Sequence, residues 1–187
     1  MPDFVVTLPP RDMVLKTEII ASRSLEYNAD RAAIDLADPA YARDDVDQML
    51  AELDLELVSM LDEVYETIAG NTIGRKRHVC ASLRELCTHV MHRLSPDGEV
   101  KKWNSKIEFY KDGRPVRRLR LMYICRHIAN GAFTDYLNKT ISMHVELLDT
   151  LNEMHAVRPK LDDLQLRLLL TDAIAMLRFL LRTGRYQ

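Results

Sequence analysis

An all-α bundle of at least five helices, preceded by a short extended N-terminal arm, is the fold this sequence predicts, and three observations carry the prediction. Apolar residues recur every three or four positions over long stretches instead of alternating. The chain is rich in Leu, Met, Ala, Arg, Asp and Glu, with only 6 glycines and 6% aromatic residues, a balance that favours helix over sheet. The breaks between periodic stretches fall at Gly and Pro clusters. A chain of 187 residues is one ordinary domain, long enough to bury a sizeable core. The expected organisation is an arm with short helices over residues 1–43 and a helical domain over 44–187.

Residues 1–12 read as extended, because Pro2, Pro9 and Pro10 oppose helix. Short helices are expected over 13–27 and 28–37, the second stopped by Pro39. The first strongly periodic element covers 44–69, where Val46, Met49, Leu50, Leu53, Leu57, Leu61, Val64, Tyr65 and Ile68 share a face. Its outer face is acidic, with no base between Asp44 and Glu66. Gly70, Asn71 and Gly74 mark a break.

A second helix is expected over 75–94, with Val79, Leu83, Leu86, Val90 and Leu94 as its apolar stripe, and Ser95-Pro96-Asp97-Gly98 ends it. A connection containing Trp103 and the turn Lys111-Asp112-Gly113-Arg114 follows. Pro115 suits the first turn of a third helix running to Asn130. Gly131 separates it from a fourth helix over 133–154, whose apolar line is Phe133, Leu137, Ile141, His144, Leu148, Leu151 and His155. The chain breaks near Val157-Arg158-Pro159. A fifth helix over 161–181 carries Leu164, Leu168, Leu169, Ile174, Leu177 and Leu180. No internal repeat, sustained heptad or low-complexity stretch occurs.

Composition excludes several classes. No apolar run approaches the roughly 18 residues that span a bilayer, so no membrane role is expected. Met1-Pro2-Asp3-Phe4 has no basic stretch followed by an apolar one, so no secretory signal is expected. Cys80, Cys87 and Cys125 are too few for a disulfide framework, and Cys80 and Cys87, seven apart on one helix, stand more than about 10 Å apart. A reduced, cytoplasmic protein is expected. The net charge of −2 conceals an asymmetry. Residues 1–74 hold 16 acids and 5 bases; residues 75–126 hold 14 bases and 5 acids. Such segregation points to a basic surface for an anionic partner, RNA or another nucleic acid. Its candidate residues are Arg75, Lys76, Arg77, Arg114, Arg117, Arg118 and Arg120. The plainer reading is that the acidic and basic segments neutralise each other on folding.

Two polar pairs interrupt the apolar patterning: Arg84 with His89, and Asn152 with His155. Arg, His and an amide together can bind a phosphate, move a proton and orient a reacting group without a metal or other cofactor. Asn152 and His155 are three apart and can meet on one helical face. The plainer readings are a terminal cap for His155 and a hydrogen-bonded core residue for His144. Arg84 and His89 are five apart, about 140° around a regular helix, so their cooperation needs a second helix or chain. His78, Ser82, Glu85, His89 and His92 share a polar face whose bland reading is a solvated surface. Glu85, His89 and His92 have metal-ligand spacing, but exposed Glu and His so spaced are common, and no metal site is assigned. No Gly-rich phosphate loop, Cys-x-x-Cys pair or Gly-x-Ser-x-Gly elbow occurs.

The spacing of Arg84 and His89 resembles the Arg-x4-6-His signature of the HEPN superfamily, small helical domains frequent in prokaryotic toxin and antiviral systems. Leu83-Arg84-Glu85-Leu86, followed by Leu94-Ser95-Pro96-Asp97, is similar to helical domains found beside predicted Piwi-associated nucleases. Leu151-Asn152-x-x-His155 before a Leu-rich helix resembles the Asn-x3-His end of many HEPN chains, one residue shorter and without the Arg-Asn that usually begins it. The resemblance spans residues 44–182. It leaves two assignments open, Arg84 with His89 as the matching motif or Asn152 with His155 as a shortened one. It implies a metal-independent endoribonuclease of a defence or toxin system, working as a homodimer whose motifs face one RNA cleft. In that implied role, His89 or His155 is general base on a ribose 2′-hydroxyl, Arg84 stabilises phosphate charge and Asn152 orients the His or the RNA. The alternative is a non-catalytic helical module that binds nucleic acid or a partner defence protein.

Overall fold

The computed structural model describes residues 43–70, 74–156 and 161–185. The expected N-terminal arm and its short helices lie outside the described residues. Among the described residues the chain is all-α, with seven helices and one two-stranded hairpin. In order these are α1 (Asp44–Leu53), α2 (Leu55–Ala69), α3 (Arg75–Leu94), α4 (Asp97–Trp103), a 3-10 turn (Ile107–Phe109), β1 (Tyr110–Lys111), β2 (Arg114–Pro115), α5 (Arg117–Ile124), α6 (Gly131–Ala156) and α7 (Asp163–Gly184).

The periodicity of 44–69 predicts one helix, but the structure has two. Asp54 adopts an extended conformation between them. Its backbone N–H closes α1 on the Leu50 carbonyl, and its side chain accepts from Glu56 N at 3.1 Å to open α2. Asp competes for backbone partners and prefers this capping position. The apolar spacing runs unbroken across the join from Leu53 to Leu57, which hides it from a periodicity reading. At the start of α1, Arg43 is buried and forks onto Asp47 and Asp62, tying α1 to α2. Gly74, at φ +87°, turns the chain into α3, and the Arg75 guanidinium donates to the Ile68 and Gly70 carbonyls at the end of α2.

α3 is the central helix, packed by α2, α6 and α7. Its stripe of Val79, Leu83, Leu86 and Val90 is fully buried, with Cys80 and Cys87 beside it. Leu50, Leu61, Leu148, Leu151, Ile174 and Leu177 complete the core from the surrounding helices. Each such side chain contributes about 1.5–3 kcal/mol by leaving water. α7 opens on a reciprocal capping box between Asp162 and Gln165. Leu164 and Leu168, expected in its apolar stripe, are exposed, as is Phe133 on α6.

The connection after α3 is more structured than its sequence predicts. Pro96 and Asp97 open α4, and Asp112 and Gly113, both at positive φ, make the tight turn of the hairpin. The hairpin pairs Tyr110 with Pro115, so Pro115 belongs to β2 and not to the first turn of a helix. α5 starts at Arg117 and ends at Ile124, short of the expected Asn130, because a series of turns follows Cys125. α4, the hairpin and α5 enclose a second small core of Val100, Leu119 and Tyr123.

Candidate nucleic-acid interface

One face of α6 gathers three arginines from two other helices. Arg84 of α3 donates through Nη1 to Asn152 Oδ1 at 3.1 Å. Arg117, in the first turn of α5, donates to Asp149 Oδ1 at 2.5 Å. Arg118 donates to Ser142 Oγ at 2.9 Å. Ser142, Asp149 and Asn152 share one side of α6 by their spacing of seven and three. The row is about 15 Å long at 1.5 Å per residue. Buried Leu148 and Leu151 on α6 and Leu83 and Leu86 on α3 hold the two helices together beneath it.

The sequence pairs are thereby regrouped. Arg84 meets Asn152, a partner on another helix. Arg84 is donor-only, and the Asn152 amide keeps both N–H donors and one lone pair of Oδ1 beside it. The exposed end of the row therefore presents donors and suits an anion such as a phosphate. The backbone of His155 lies in the last turn of α6, one turn beyond Asn152; its side chain lies outside the described residues. His89 is exposed on the C-terminal half of α3. It lies close enough to His92 to be felt electrostatically, together with Arg114, Arg120 and Asp97. The His92 imidazole is held below its ordinary value, chiefly by burial and then by the Arg120 charge.

The remaining expected cations divide in two. Arg120 is 3% exposed, donating to the Ser95 carbonyl at 2.7 Å and to Asp97 at 2.5 Å. It is a tie between α3, α4 and α5, and its engaged guanidinium is not presented to a phosphate. Arg75 is spent on the end of α2 and on Asp163, and Lys76 on the Leu161 carbonyl and Asp163. Arg77 and Arg114 are exposed and make no ion pair among the described residues. Among the described residues one ion pair joins the acidic and basic segments, Asp54 with Arg93, whereas Asp45 is met by Arg178 and Arg182 and Glu52 by Arg185, all from α7 and its end.

His144 is buried in the core, its ring 5.3 Å from that of Phe179. Neither ring nitrogen has a hydrogen-bond partner, contrary to the expected bonded core histidine, and burial pushes its pKa down to about 4. It is a neutral packing residue at physiological pH. Among the described residues no three His, Cys, Asp or Glu side chains converge as a metal-binding group, Glu85, His89 and His92 included. No helix among them is long and apolar enough to cross a membrane. Asp149 and Ser142, which align the arginines, carried no signal in the sequence, because their role depends on α5 packing against α6.

A helical bundle with this row of paired arginines on its surface defines a small all-α domain. Residues 50–180 match the family described as predicted pPIWI-associating nuclease, and the chain belongs to that family. Comparison with curated proteins and comparison with solved structures give no match.

Proposed function

We propose that this chain is a HEPN-like endoribonuclease domain acting on RNA at the Arg84 and Asn152 end of the α6 row, in a prokaryotic defence or toxin setting beside a Piwi-type partner. The observation that carries the reading is the 3.1 Å contact joining Arg84 to Asn152 across two helices, with His155 one turn further along. The family description supports the nuclease half of the reading. The scissile phosphate sits on the donors of Arg84 and Asn152. His155 takes the proton of the adjacent ribose 2′-hydroxyl, whose oxygen attacks phosphorus. The P–O5′ bond breaks, and the leaving 5′-oxygen takes up a proton. The products are a 2′,3′-cyclic phosphate and a 5′-hydroxyl. Arg84 stabilises the extra negative charge on the pentacovalent phosphorus, and Arg117 and Arg118 hold flanking phosphates. Two protomers pair so that both rows face one strand.

RNA incubated with the purified protein in EDTA tests this. Cleavage leaving cyclic phosphate ends, lost in Arg84→Ala and His155→Ala, is the expected result. Intact RNA with salt-dependent retention instead marks a binding module. That second reading is favoured by the exposed Phe133, Tyr136 and Met143 on α6 and Leu164 and Leu168 on α7, apolar residues suited to a partner protein. Sedimentation at tens of micromolar tests the dimer, and a monodisperse monomer removes the paired cleft.

A further inference from the structure

Trp103, the only tryptophan of the chain, closes α4 and is 41% exposed. It is not loose. Its ring meets that of Tyr123 edge-on, with centroids 5.7 Å apart and planes inclined at 72°. Tyr123 is in turn fixed on α5, with the Arg126 guanidinium stacked 3.7 Å from its ring centroid and donating to its carbonyl. Beyond Trp103, the Tyr110 hydroxyl donates to the Asn104 carbonyl and pins the chain where it leaves α4. An edge-on contact leaves at least one face of the indole without a stacking partner. A rigid, half-exposed indole loses little freedom on receiving a planar ligand.

The charge around it selects the ligand. From Glu99 to Glu108 the chain carries Lys101, Lys102 and Lys106 against those two acids. Lys101 and Lys106 make no ion pair among the described residues. Lys102 pairs with Glu99 on the open surface, a contact that a phosphate readily replaces. Arg114, also exposed and unpaired among the described residues, lies on β2, which packs against α4. An aromatic face among unspent cations matches a flexible polyanion with planar groups. We propose that Trp103, with Lys106 and Arg114, is a stacking platform for single-stranded nucleic acid, separate from the Arg84 and Asn152 row. It takes from the nucleic-acid reading above only the class of ligand. A duplex hides its base faces and would engage the lysines alone.

Because Trp103 is the sole tryptophan, its fluorescence reports this one site. Fluorescein-labelled oligothymidylate is the suitable ligand, since it has no 2′-hydroxyl and cannot undergo the proposed cleavage. Expected are quenching of Trp103 on titration at low salt and little quenching by an abasic strand of equal length. In anisotropy titrations, Trp103→Phe should hold the strand, and Trp103→Leu should weaken it at least about fivefold, the lower end for one stacked base, with helical content unchanged by circular dichroism. Binding without quenching, no binding, or equal affinity of the Phe and Leu variants overturns the platform. So does an emission change with anionic phospholipid vesicles but not with the strand. RNA cleavage that persists without Trp103 quenching removes the platform alone; quenching without any cleavage removes the nuclease reading and keeps the platform.

Discussion

Arg84 and Asn152 stand 68 positions apart in the chain and 3.1 Å apart in space, an exposed contact between the central helix and the longest one. An exposed bond between a guanidinium and an amide adds little to stability, on the order of 1 kcal/mol or less. On the proposed reading its consequence is chemical: a cation and an amide donor stand beside each other for a phosphate to engage both.

Arg84→Ala should therefore leave thermal stability nearly unchanged and lower RNA cleavage about 100- to 1000-fold, the usual cost of one transition-state donor. Arg84→Lys should not restore the rate, because a single ammonium cannot hold Asn152 and a phosphate oxygen with one fixed fork. Single-turnover rates across the three proteins check this, and a Lys variant at full rate removes the need for the fork.

The bundle was legible in the sequence because burial imposes the helical period: Val79, Leu83, Leu86 and Val90 announce α3 and are all buried. The same period misplaced Leu164, Leu168 and Phe133, since spacing shows which face a residue shares and not whether another element covers it. Arg84 and Asn152 stood out as polar breaks in separate stretches. Their contact did not, and neither did Asp149 under Arg117, because both depend on how α3 and α5 pack onto α6. Arg117, Arg118 and Arg120 look alike in sequence, yet α5 turns the third inward.

That difference is measurable. Arg120→Ala leaves the buried Ser95 carbonyl unpaired and strips Asp97 of its partner, and should cost about 2–3 kcal/mol. Arg117→Ala and Arg118→Ala sit at the surface and should each cost under about 1 kcal/mol. They should instead weaken RNA binding and reduce its salt slope by about one each. Urea unfolding and salt-titrated binding separate the two effects. A stable Arg120→Ala protein with weakened RNA binding would reverse the assignment.

His144 makes the fold sensitive to mild acid. Its folded pKa of about 4 lies below the ordinary value of 6.5, so between these limits the unfolded chain binds the extra proton. This contribution is complete above pH 6.5 and declines as pH falls toward 4, by up to about 3 kcal/mol. Asp45, held below its ordinary value first by the hydrogen bond from Arg178, loses its contribution at lower pH, below about 4. His144→Leu should flatten the melting profile between pH 6.5 and 4.5 and raise Tm at pH 7, because two unpartnered nitrogens leave the core. An unchanged slope would place the acid sensitivity elsewhere.

Cys80, Cys87 and Cys125 are buried, and burial pushes their thiols up to about 11, 12 and 11. Few thiolates form at neutral pH, and no reagent has direct access. A disulfide reagent at pH 8 should find no fast-reacting thiol in the native protein and three after denaturation. One fast native thiol would indicate local opening of α3 or of the turn at Cys125.

Which histidine serves the proposed Arg84 site is the sharpest question, and the prediction follows from position along the helices. His89 follows Arg84 by five residues on α3, about 140° around the axis. His155 follows Asn152 by three residues on α6, about 60° around the axis. His155→Ala should abolish cleavage, and His155→Gln should not restore it, since an amide cannot carry the proton of the 2′-hydroxyl. His89→Ala should retain cleavage and weaken only the capture of RNA near Arg114. His89→Ala, at an exposed position, should melt within about 0.5 kcal/mol of the parent. If His89→Ala is the dead protein and His155→Ala the active one, the base must reach the phosphate from a second copy of the chain, and cleavage by the His89 variant should return when it is mixed with Arg84→Ala protein to form heterodimers.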